Sequence, residues 1–78
     1  MSTREHLFDL LRQRGPDKSI CPSEVARAVA PEDWRDYMEA MREEARALAR
    51  EGRIRITQGA ETLDPDGEWR GPVRLRLA

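Results

Sequence analysis

The chain has 78 residues, 38% hydrophobic and 37% charged, with 14 Lys/Arg against 15 Asp/Glu, a single cysteine and a formal net charge of −1. That length supports one domain, residues 1–78, with a thin core, and the mixed charge separates it from disordered chains. The composition excludes an internal disulfide and a cysteine-rich zinc site. No run approaches the roughly 20 apolar residues of a membrane span, no charged-then-apolar start resembles a signal peptide, and a cytoplasmic location is the default expectation.

Ser2-Thr3-Arg4-Glu5 has the form of a capping box, and Leu7, Phe8, Leu10 and Leu11 supply the apolar face of a first helix near 2–14. His6 is the only histidine and has no second ligand or carboxylate placed beside it, so it reads as a solvated helix residue rather than a metal ligand or base. Gly15-Pro16-Asp17-Lys18-Ser19 is a turn by composition. Cys21-Pro22-Ser23-Glu24 then starts a second helix, near 22–29, with proline at the first helical position and Val25, Ala26, Val29 and Ala30 as its stripe. A thiol at a helix N-terminus is a candidate nucleophile, but with no histidine placed beside it Cys21 reads as a small residue at a tight junction.

The longest element is expected over 31–51. Trp34, Met38, Met41, Ala45, Leu48 and Ala49 recur at three- and four-residue steps, Pro31 suits the first turn, and Gly52 ends the helix. From Arg53 the period changes to two. Ile54 and Ile56 face inward on a strand near 53–57, and Val73, Leu75 and Leu77 do the same on one near 73–77. Paired antiparallel, these strands put Arg53, Arg55, Arg74 and Arg76 on one outer face, a cross-strand repulsion that asks for a reason. Residues 58–72 are too long for a tight hairpin and fit an extended wing. Thr62 and Leu63 are candidates for a short extra strand against Ile56, and Trp69 either folds back on the core or stays exposed. Two tightly joined helices followed by a ribbon make a mainly α chain with a small antiparallel β-ribbon: a winged helix-turn-helix of three helices plus wing. Its expected core is Leu7, Phe8, Leu10, Leu11, Ile20, Val25, Val29, Trp34, Met38, Met41, Ala45, Leu48, Ile54, Ile56, Val73 and Leu75.

Several segments carry a family resemblance: Cys21-Pro22-Ser23-Glu24-Val25-Ala26-Arg27, Trp34-Arg35, Arg42, Ala45, Leu48-Ala49, Gly52-Arg53-Ile54, Ile56-Thr57-Gln58 and Arg70-Gly71-Pro72-Val73-Arg74-Leu75. Together they resemble the small bacterial domain-of-unknown-function family 3253, over nearly the whole chain and most specifically over 20–76. The resemblance implies a winged-helix fold and no established activity, cofactor or catalytic residue. Some members look fused to a preceding cysteine-rich, zinc-ribbon-like segment, which the single Cys21 here does not supply.

The net charge lacks the basic excess of a dedicated nucleic-acid binder, yet its distribution is uneven. Residues 31–45 carry 2 Lys/Arg against 6 Asp/Glu, while residues 46–78 carry 7 against 5. Candidate contacts to double-stranded DNA are Arg35 and Arg42 on the long helix, Arg53 and Arg55 after it, and Arg70, Arg74 and Arg76 on the ribbon, because a guanidinium fork suits phosphates and guanine edges. Asp33, Asp36, Glu39, Glu43 and Glu44 argue against that use of the helix. The plainer expectation there is helix-surface ion pairs, Arg35 with Glu39 and Arg42 with the neighbours of Arg46. A second reading is a protein-interaction or homodimerisation module, with the acidic helix face as its surface and Trp69 as an anchor. An enzyme is not expected: no catalytic residues, metal ligands or cofactor loop stand out, and Asp64-Pro65-Asp66-Gly67 lacks the spaced ligands of a calcium loop.

Overall fold

A computed structural model describes residues 3–78, so Ser2 of the capping-box reading lies outside the described residues. Helix α1 covers Thr3–Arg14, α2 Pro22–Val29 and α3 Trp34–Arg50, followed by strands β1 (Ile54–Gln58), β2 (Glu61–Thr62) and β3 (Arg74–Leu77). The strands form an antiparallel sheet in the order β2-β1-β3. No helix among the described residues is long and apolar enough to cross a membrane.

Local chemistry explains most boundaries. Leu7 and Leu11, one turn apart, are the buried residues of α1. The helix closes where Gly15, at φ +96°, returns its N–H to the Leu11 carbonyl at 3.0 Å. In the first turn of α2 the Glu24 carboxylate accepts the Cys21 N–H at 3.2 Å, the backward half of a capping box. The α3 terminus is a Schellman motif: Arg53 N–H reaches the Leu48 carbonyl and Gly52 N–H the Ala49 carbonyl, both at 3.0 Å, with Gly52 at φ +76°.

The start of α3 differs from the expectation of residue 31. Pro31, Glu32 and Asp33 form a turn, with Asp33 N–H bonded to the Ala30 carbonyl at 3.1 Å and Asp36 N–H to the Asp33 carbonyl at 3.0 Å. These three-residue bonds, with Asp33 at φ −122°, use the linker to turn α3 away from α2 rather than to lengthen it.

β1 and β3 pair Ile54 with Leu77, Arg55 with Arg76, Ile56 with Leu75 and Thr57 with Arg74. β2 forms through a two-residue turn in which Gly59 has φ +61° and Ala60 a negative φ, the II′ pattern that matches strand twist. On the other edge Ile20 makes an isolated antiparallel bridge to Leu75, bonded both ways at 2.8 and 2.7 Å. A single residue between α1 and α2 thus adds an outer rung to the sheet.

The core joins all three helices to the sheet through Leu7, Leu11, Ile20, Val25, Met41, Ala45, Leu48, Ile54, Ile56, Val73 and Leu75. Fully burying one such leucine contributes about 1.5–3 kcal/mol. Ala26 and Pro22 are buried as well, while Phe8, Leu10 and Val29 are only partly buried against the cluster. Trp34 and Met38 depart from the expected core: both are half-buried. With α3 starting at residue 34, Trp34 stands on the first turn at the α2–α3 corner, where Arg27 and Arg35 meet its ring.

Candidate nucleic-acid interface

The seven arginines singled out in the sequence fall into different environments. Arg74 and Arg76 project from β3 toward the α1–α2 loop. Arg74 donates from Nε to the Ser19 hydroxyl at 3.0 Å and from Nη2 to the Ser19 carbonyl at 2.9 Å. Arg76 donates to the Asp17 carbonyl at 3.3 Å. These bonds supply the reason for the arginine-rich outer face: neutral carbonyls of the loop draw Arg74 and Arg76 toward it, which eases the like-charge pairing of Arg55 with Arg76. Arg53 lies 3.4 Å from Glu51, and Arg70, 90% exposed, lies 3.7 Å from Glu68.

Arg35, Arg42 and Arg55 remain. All three are exposed, and none has a carboxylate within ion-pair distance among the described residues. The expected Arg35–Glu39 pair does not form. Arg35 turns instead to Trp34, its guanidinium 5.2 Å from the ring centroid, because a cation on an indole face is held without the two-chain ordering that an exposed ion pair requires. Arg42 and Arg46 do not share an acid either: Glu43 stands 3.8 Å from Arg46 alone. Glu32, Asp33, Asp36 and Glu39, all exposed, have no ion-pair partner among the described residues, so the first half of α3 shows both signs of charge.

The other long-range contacts hold this surface in place. On one flank of α3, Arg4 of α1 reaches Glu44 at 2.5 Å and grips Glu51 with two nitrogens at 2.8 and 3.2 Å. The hydrogen bonds that Arg4 donates pull the Glu51 carboxyl below its ordinary pKa, and having Glu51 and then Glu44 as acceptors raises that of the Arg4 guanidinium. Tyr37 and Thr3 share a hydrogen bond between their hydroxyls on the same flank.

On the opposite side the β2–β3 loop is not the extended wing expected from its length. Arg46 of α3 donates to the carbonyls of Pro65 and Gly67 at 2.6 and 2.7 Å, and the Trp69 ring lies over its guanidinium at 4.0 Å. Trp69 in turn donates its indole N–H to the Asp64 carbonyl, and Arg50 pairs with Asp66 at 2.6 Å. Asp64 also accepts the Asp66 N–H, which makes 64–67 an Asx-type turn. Gln58 closes the return with bonds to the Arg70 and Pro72 carbonyls. The loop therefore folds onto α3 because one half-buried guanidinium satisfies two of its carbonyls at once.

Sequence reasoning missed Arg27, Arg46 and Arg50. Arg46 and Arg50 are a helical turn apart, but nothing local marked the loop as their partner. Arg27, in the last turn of α2, places its guanidinium 4.4 Å from the Trp34 centroid across the helix junction. Residues 1–78 match the family described as protein of unknown function (DUF3253), and the chain belongs to that family. No curated protein matches the chain.

Proposed function

We propose that this DUF3253 chain is a non-enzymatic winged-helix module that binds double-stranded DNA, with α2 and α3 as the helix-turn-helix and the β1–β3 ribbon, rather than an extended loop, in the place of the wing. The order of elements supports the fold reading. The Ile20 bridge acts as a short strand between α1 and α2, and β3 lies between it and β1. In such an arrangement α3 meets the major groove and the sheet side follows the backbone.

The observation that carries the functional reading is the set Arg35, Arg42 and Arg55: exposed guanidiniums without a carboxylate partner among the described residues, on α3 and on the strand that follows it. Arg74 and Arg76 serve as loop ties in this reading, with Arg53 and Arg70 at its margin. An amide shift titration with a short random duplex at two salt concentrations tests it. Shifts at Arg35, Arg42 and Arg55 that fade with salt are expected, with a log–log salt slope of about −3 for three phosphate contacts. No shift at low salt would sink the reading.

A second reading, a protein-interaction module on the same fold, draws on Glu32, Asp33, Asp36 and Glu39, which have no ion-pair partner among the described residues, and on the net charge of −1. These suit a partner with a basic surface. Duplex-insensitive amides, together with dose-dependent shifts at residues 32–39 on adding a basic partner, would favour it.

A further inference from the structure

We propose that Arg27, Trp34 and Arg35 form a phosphate clamp at the α2–α3 corner, which takes a backbone phosphodiester of duplex DNA; the inference rests on the DNA-binding reading above. It adds Arg27, and with it the last turn of α2, to an interface otherwise drawn from α3 and the sheet.

Two guanidiniums share one indole, at 4.4 Å for Arg27 and 5.2 Å for Arg35. Stacking on an aromatic face orders a guanidinium while leaving its N–H edge free to donate. Neither side chain donates a hydrogen bond to, or forms an ion pair with, another described residue, and both residues are exposed. The contrast with Arg46 is direct: there the same stacking comes with two carbonyl acceptors. At the corner no described residue supplies such an acceptor, so the N–H edges of both stacked guanidiniums are available to an anion.

The groups facing this corner are known from the fold. Glu24, on α2, is held by Arg14 at 2.6 Å. Glu32 and Asp33 in the connecting turn, and Asp36 one turn along α3, are exposed and beyond ion-pair distance of Arg27 and Arg35. They lower the local attraction for a polyanion, so the clamp acts through directed hydrogen bonds to one phosphate rather than through net positive charge. A phosphate oxygen is the matching chemistry because it accepts from two coplanar N–H groups at once.

The experiment is a titration of the 15N-labelled full chain with a random-sequence duplex and, separately, with inorganic phosphate. It follows the side-chain Nε–H signals of Arg27 and Arg35 and the Trp34 indole signal. Shifts of all three with duplex are expected, weakening as salt rises. Arg27→Ala should weaken duplex binding about five- to tenfold and flatten the salt slope by about 1. Arg27→Lys, which keeps the charge but loses the planar fork, should recover only part of that. If duplex shifts Arg42 and Arg55 while Arg27→Ala leaves affinity and slope unchanged, the clamp is wrong and the DNA-binding reading stands. Shifts with inorganic phosphate and none with duplex would overturn the duplex backbone as the ligand. No duplex binding by the unaltered chain would overturn both.

Discussion

Trp34 and Trp69 each lie against arginine, yet the two contacts have different consequences. At Trp69 the cation is Arg46, half-buried, with two backbone carbonyls as acceptors and a neighbouring Arg50–Asp66 pair. At Trp34 the cations are Arg27 and Arg35, exposed and without acceptors among the described residues. The ring–cation geometry is alike; the hydrogen-bond census is not. A guanidinium whose N–H groups are satisfied inside the fold is a fastener, and its loss strands the carbonyls that it served. One stacked but unsatisfied is held ready at little structural cost and remains available to a ligand.

The sharpest way to break this comparison is to remove the fastener. Arg46→Ala should lower unfolding free energy by about 1–3 kcal/mol, since two carbonyls and the Trp69 face lose their partner. Urea denaturation measures it, and amide exchange at 64–69 should accelerate with it. Unchanged stability would mean that the loop does not depend on the clasp. Gly52→Ala supplies a scale independent of either tryptophan. Its φ of +76° is costly for alanine, while an added Cβ would meet no atom within 4 Å, so a loss of about 1 kcal/mol from backbone strain alone is expected in the same denaturation assay.

Smaller effects belong to the corner. Arg27→Ala and Arg35→Ala should each change stability by no more than about 0.5 kcal/mol. A loss approaching that of Arg46→Ala would mark the corner as structural and erase the contrast. The Arg4–Glu51 contact sharpens the picture from outside both regions. Because the folded Glu51 carboxyl is held below its ordinary pKa, its contribution is present above the unfolded value and lost as pH falls through the folded one. Glu51→Gln should therefore flatten the acid limb of a thermal-stability profile, most visibly at low salt. An unaltered acid limb would mean that Arg4 does not couple α1 to α3 through this charge.

Much of the fold was legible in local pattern. The stripe Met41, Ala45 and Leu48 predicted α3 and its buried face, and the alternation Ile54–Ile56 and Val73–Leu75 predicted strands whose inner residues pack on it. Gly52 marked the helix end because only a residue at ease with positive φ completes those two carbonyl bonds. Trp34 was misread for an equally local reason: its spacing continues the apolar stripe, but spacing does not reveal where a helix passes beyond the cover of its neighbours. Of the candidate site, Arg35, Arg42 and Arg55 were visible, while Arg27 and the environment of every arginine were not.

Sequence alone determined the three helices, the antiparallel ribbon, the C-cap and most of the inward-facing residues, because each depends on residues within a turn or on a repeat of two or 3.6. It did not determine that Trp34, Met38, Phe8, Leu10 and Val29 are only partly buried. Only the tertiary structure decided which arginines are fasteners and which are free. Arg46 meets a carbonyl 19 residues away and Arg74 one 55 residues away. Every residue carries such an acceptor, so its presence leaves no trace in residue identity, and the chain must fold before any arginine acquires it.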